Sequence, residues 1–269
     1  MLAGMLADNA DSLSSILGWV SLACWIVVYS PQIYENYSLQ SGEGLSVLFV
    51  VIWLLGDLCN LFGAMLAHLL PTVIIIAVYY TLCDMVLLVQ IYYYRWRGAN
   101  CDAEEAPLLP GNRSGNSTSD IVPTRVLVLR YLAALIFVFA TGVLAWWISL
   151  NTEKVEEPPH HPTAAVRWTV QIFGWASAVL YLGSRIPQIF KNMHTHCEGL
   201  SPALFFFAIT GNLTYSASII AKSTDRDYLI TNASWLAGSA LTVFLDLIVL
   251  GQFVYYRSLY VARQNAGAS

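Results

Sequence analysis

The sequence predicts an all-α membrane protein of seven transmembrane helices, built as two parallel three-helix repeats joined by a linker helix. Composition, the spacing of long apolar stretches and an internal duplication carry that reading. Of the 269 residues, 57% are hydrophobic and only 11% are charged, with a mean hydropathy of +0.58. A water-soluble domain needs about a quarter charged residues to keep its surface wet, so here lipid must be the solvent. A net charge of −4 excludes the basic surface that nucleic acid would require.

Seven apolar stretches fall at 14–36, 45–67, 71–94, 125–148, 167–191, 200–221 and 231–257. At 1.5 Å rise per residue each is long enough to cross about 30 Å of hydrocarbon. Helices are required there, because lipid offers the backbone amides no partner. The first stretch lacks the positive flank of a cleavable signal. The short "HLLP" before residue 72 makes the second and third helices a tight hairpin.

Orientation follows from Lys and Arg near the span ends. Arg95, Arg97, Arg113, Arg125, Arg130, Lys191, Arg257 and Arg263 lie on one side; Lys154, Arg167, Lys222 and Arg226 lie on the other. The richer side is cytosolic, which places the N-terminus in a lumen or outside and the C-terminus in the cytosol. Cys24, Cys59 and Cys83 fall in spans, and Cys101 and Cys197 in cytosolic loops, so no disulfide framework is expected. The sequons at Asn112 and Asn116 lie on the cytosolic side and are expected to stay unmodified. "HTHC" at 194–197 is too bunched for a metal site, and no metal or other cofactor is expected.

Residues 18–94 repeat in 174–256. "PQI" recurs at 31 and 187, "EGLS" at 43 and 198, and "CDMVLLVQIYYYR" from Cys83 aligns with "LDLIVLGQFVYYR" from Leu245. The domains are therefore a first repeat at 14–94, a disordered cytosolic loop at 95–124, the linker helix at 125–148 and a second repeat at 167–257. A three-helix unit ends inverted; one extra crossing restores a parallel second copy, a plan used by secondary transporters.

Each repeat carries a proline near the cytosolic end of its first helix. Proline removes a donor and clashes with the carbonyl four residues earlier, at about 3 kcal/mol. Pro31 and Pro187 form a matched pair of hinges, with Gln32 and Gln188 expected to bond the carbonyls that proline leaves free.

Asp57, Asp84 and Asp246 fall near mid-span, where a carboxylate costs about 2.5–3.5 kcal/mol unless it is paired, wetted or protonated. Asp57 aligns with Asn212 and Asp84 with Asp246, so the acidic set is expected to ring one midplane site. Such a cavity selects cations, with Asn60, Asn212 and Tyr215 available for an amino-acid backbone. Arg185 is a possible ion-pair partner of one Asp. One Asp could carry a coupling proton, and exchange without protons is an alternative.

The doubled "PQ" with "EGLS", "GD" at Gly56–Asp57 and "GN" at Gly211–Asn212 resembles the PQ-loop family, which includes the SWEETs. "LLGDLCN", "YYTLCD" and "SRIPQI" are most similar to its cationic amino-acid branch. The resemblance covers nearly the whole chain apart from 95–124, 149–166 and the termini. It implies two three-helix bundles around a central cavity, in a non-enzymatic exporter of lysine- or arginine-like amino acids from an acidic organelle. A receptor or scaffold binding the same cations, or a transporter of cystine or sugar, are the alternatives. In "EEAPLLP", Glu104, Leu108 and Leu109 form an acidic dileucine pattern of the kind read by sorting adaptors, pointing to a lysosomal or vacuolar membrane.

Overall fold

The computed structural model describes residues 2–66, 71–104, 124–150 and 164–267, all helical or in short turns. The first repeat comprises α1 (Leu2–Val27), α2 (Ser30–Leu39), α3 (Val47–Leu66) and α4 (Pro71–Glu104). Then follow α5 (Thr124–Leu150), α6 (Ala164–Thr195), α7 (Pro202–Lys222), the short α8 (Arg226–Thr231) and α9 (Ala233–Gly267). Among the described residues, five helical stretches are long and apolar enough to cross a membrane: Ala10–Leu39, Val47–Leu66, Ile74–Gly98, Pro202–Lys222 and Ala233–Gln264. The other two expected spans coincide with α5 and α6. Polar residues such as Gln171, Arg185 and Gln188 dilute the hydropathy of α6.

The polarity of a water-soluble protein is inverted. Leu82, Val89, Ile136 and Phe137 are exposed, whereas Asp57, Asp84, Arg185, Gln32, Gln188 and Asp246 are buried. Apolar residues face outward because lipid takes them at no cost, and polar groups turn inward to find partners.

Within the second half α9 packs between α6 and α7; within the first, α4 packs on α3 and α2. The halves meet crosswise, α1 on α7 and α3 on α6, and α5 lies against α1. These contacts close into a ring. Gly142 of α5 permits that last approach, since a Cβ there would meet the Val20 Cα at 2.7 Å.

Two differences from the sequence reading stand out. α4 continues as helix through Arg95 to Glu104, so the first ten residues of the expected loop are not loop. Their run "RWRGANCDAE" contains no proline to stop the helix, and the first proline comes at 107. Leu108, Leu109, Asn112 and Asn116 lie outside the described residues. The two proline sites also differ. At Pro31 the helix is interrupted over Val28–Tyr29 and resumes at Ser30, whereas α6 runs unbroken through Pro187. Tyr29 keeps helical dihedrals (φ −78°, ψ −30°), so the interruption is a joint in the hydrogen-bond ladder, where Pro31 has no N–H to give, and not a change of direction.

Candidate functional site

The glutamines of the two "PQ" pairs do not bond the carbonyls of their own helices; they reach across to the opposite repeat. Gln32 Nε2 donates to Gly199 O at 3.1 Å while its Oε1 accepts from Ser201 N–H at 2.8 Å. Gln188 mirrors it, with Nε2 to Gly44 O at 3.1 Å and Oε1 from Ser46 N–H at 2.7 Å. Each glutamine thus clamps the other repeat's "EGLS" segment. A buried amide with two donors and an acceptor is best satisfied by the unpaired backbone of a loop, while the carbonyl behind proline sits within a helix wall.

Behind each clamp stands a second matched pair. Asn36 accepts from Gln32 and donates to Gln90, whose amide donates to Ile33 O; Asn192 accepts from Gln188 and donates to Gln252, whose amide donates to Ile189 O. At the centre Gly44 meets Gly199, where a Cβ on Gly44 would lie 1.9 Å from Gly199 O. Gly199 also holds φ +69°, which a residue with a Cβ rarely adopts. Glu43 adds an outer clasp, bonded by Arg95 at 2.6 Å and reached by Lys191 at 3.4 Å. The Arg95 guanidinium holds the Glu43 carboxyl below its ordinary value.

On the far side of this clamp lies a cavity of about 400 Å³, within the range of small-molecule sites. Its floor carries Tyr29, Trp53 and Arg185, and its wall Asp57, Asn60, Asn212 and Tyr215. It extends toward Gly18, Ser218 and Ser234. Asp57 is held by two phenols, Tyr29 Oη at 3.0 Å and Tyr181 Oη; Asn60 Nδ2 donates to the same Tyr181 oxygen. Asn212 is buried with its amide nitrogen unpartnered. Two ring faces complete the floor, Tyr29 stacking on Trp53 at 5.1 Å.

The other two mid-span carboxylates do not line this cavity. Asp246 is fully buried and bound by Arg185, Nε to Oδ1 at 2.9 Å. Arg185 also donates to Tyr181 O at 3.1 Å and lies over Trp53 at 5.0 Å. Asp84 is fully buried behind Asp57, and neither of its oxygens accepts a hydrogen bond. The acidic residues are therefore split into one wall residue, one hidden acid beside it and one neutralised acid, rather than a ring. The repeat alignment explains the split: position 185 in the second repeat corresponds to Tyr29 in the first, so Asp84 lacks the arginine that Asp246 has. The sequence reading missed Tyr29, Tyr181, Trp25 and Trp53 as lining residues. The Tyr29/Arg185 difference two residues before the shared "PQI" was the signal available.

A duplicated chain whose described residues are helical, with apolar outer faces and a central cavity that holds Asp57, Asn60 and Asn212, defines a polytopic membrane protein with two PQ-loop repeats. The PQ loop repeat model matches residues 13–73 and 169–228. The chain is 38% identical to the vacuolar lysine transporter of Saccharomyces cerevisiae over 301 residues, covering 93% of this chain and 95% of that one. It is 39% identical to the vacuolar histidine transporter of the same yeast over 287 residues, at 92% and 93% coverage. The lysosomal amino acid transporter 1 homolog of Gallus gallus is 32% identical over 267 residues, at 93% and 83%. The chain belongs to the PQ-loop family.

Proposed function

We propose that this protein is a secondary transporter that exports lysine and arginine from the lumen of a lysosome or vacuole to the cytosol. The observation that carries this reading is Asp57, a carboxylate on the cavity wall whose two phenolic partners leave its charge unmatched. Arg185 brings a cation to the cavity floor, but Asp246 already neutralises it. Asp84 adds a second acid behind Asp57, and two carboxylates side by side repel unless a cation or a proton sits between them. A lysine ammonium or arginine guanidinium supplies that charge. Asn60, Asn212 and Tyr215 are placed to hold the amino-acid backbone. The lysine and histidine for which the two yeast relatives are named support the same class.

The proposed topology has seven spans, with α5 as the linker between parallel repeats, a luminal N-terminus and a cytosolic C-terminus. On that topology the cavity runs toward the lumen and the glutamine clamp closes the cytosolic end, which makes this the loading state. Pro31 and Pro187 with their glutamines act as the hinge and latch of alternating access. Coupling uses a proton held in the Asp57/Asp84 pair, and Glu104, Leu108 and Leu109 form the adaptor-read sorting signal.

A Leu108→Ala/Leu109→Ala variant brings the transporter to the cell surface, where medium replaces lumen. Labelled lysine, arginine and glucose uptake are then compared at pH 5 and pH 7. Lysine and arginine uptake that is abolished by Asp57→Asn, with no glucose uptake, is the expected result. Saturable lysine binding without flux would refute export.

A further inference from the structure

Resting on that transport reading, we infer that Tyr29 is a positioning residue that couples the cavity to the cytosolic clamp, and that only the first repeat's arm is released by substrate. Its side chain and its backbone lie in two different devices. The phenol bonds Asp57 on the cavity wall and stacks on Trp53. The backbone forms the joint over Val28–Tyr29 from which α2 resumes. One turn further along that arm, Gln32 grips Gly199 O and Ser201 N–H of the opposite repeat. A substrate cation taking the Asp57 carboxylate draws on the acceptor that holds the Tyr29 hydroxyl. Freed from it, the joint can bend and withdraw Gln32.

The second repeat also touches this carboxylate, through the Tyr181 phenol, but it has no joint through which to pass the change on. Its equivalent of Tyr29 is Arg185, buried in unbroken helix, tied to Asp246 at 2.9 Å and to Tyr181 O at 3.1 Å. An ion pair with both partners buried is costly to part, so Gln188 keeps its hold on Gly44 and Ser46. The near-perfect twofold of the clamp is therefore driven from one side.

Hydrogen exchange of the purified full-length protein in lipid nanodiscs tests this without substrate. The amides to follow are Ser201, held by Gln32, and Ser46, held by Gln188. Tyr29→Phe keeps the ring and deletes the tether, so Ser201 is expected to exchange about fivefold to tenfold faster, the effect of losing roughly one hydrogen bond. Ser46 stays at its wild-type rate. Tyr181→Phe removes the other phenol from the same carboxylate but lies away from the joint, and it should leave Ser201 unchanged. Should Tyr29→Phe fail to fold, Asp57→Leu deletes the acceptor and is expected to have the same effect. An unchanged Ser201 rate, equal loosening of both amides, or the same response to Tyr181→Phe overturns the inference. Adding lysine to the wild type is expected to quicken Ser201 alone. Absence of lysine binding by calorimetry would overturn the transport reading, while the substrate-free amide rates still decide this one.

Discussion

Replacing Gly44 with alanine strikes the point where the two repeats touch. The added Cβ would sit 1.9 Å from Gly199 O, and the obstacle is backbone, so no side chain can swing away. Parting the segments from 1.9 Å to the 3.0 Å floor for real Cβ contacts requires at least 1.1 Å. The clamp bonds span 2.7 to 3.1 Å, so such a shift carries them beyond hydrogen-bond range. Four bonds at about 1 kcal/mol each set an upper bound near 4 kcal/mol, and partial relaxation brings the expected loss to roughly 2–4 kcal/mol. In a chain of this size that is a fall of about 5–15 °C in melting temperature. Gly183→Ala is the control, because its Cβ meets nothing within 4 Å. Thermal unfolding of both variants in detergent, followed by size-exclusion fluorescence, gives the comparison. A Gly44→Ala melt within about 2 °C of Gly183→Ala would refute the claim that the Gly44–Gly199 contact closes the molecule.

Removing one partner of the buried Arg185–Asp246 pair should be worse than removing both. Arg185→Gln or Asp246→Asn alone is expected to cost about 3–5 kcal/mol, and the double variant less than either, in a thermal double-mutant cycle. If the double variant also keeps lysine uptake, Asp246 is structural; loss of uptake in a stable double variant would make it part of transport. Glu43 offers a pH test. Its folded value lies below the ordinary one, so its contribution is present above the usual glutamate range and is lost as pH falls through the folded value. With a 56% exposed side chain the pair is worth less than about 1 kcal/mol. Melting curves of wild type and Glu43→Gln should differ slightly at pH 7 and low salt, and converge in acid or at high salt.

Helix positions, the duplication and the family were legible from residues in line, because apolar length, "PQ" and "EGLS" are local patterns. Even the α4 overrun into 95–104 was readable, there being no proline before 107. Asp57 and Asn212 stood out as polar residues at mid-span, since burying such groups without purpose is costly, and both line the cavity with Asn60 and Tyr215. What each polar group binds was not legible. Hydropathy marks Asp84, Asp246 and Asp57 alike as expensive; only the packing of α6 against α9 gives Asp246 its arginine and leaves Asp84 with none. Gln32 and Gln188 read as servants of their own helices, yet their partners lie 167 and 144 residues away in the other repeat. A duplicated sequence specifies similar parts, and the tertiary structure decides how they cross: the glutamines trade loops symmetrically, while Tyr29 against Arg185 and Asp57 against Asn212 make the two halves electrostatically unequal.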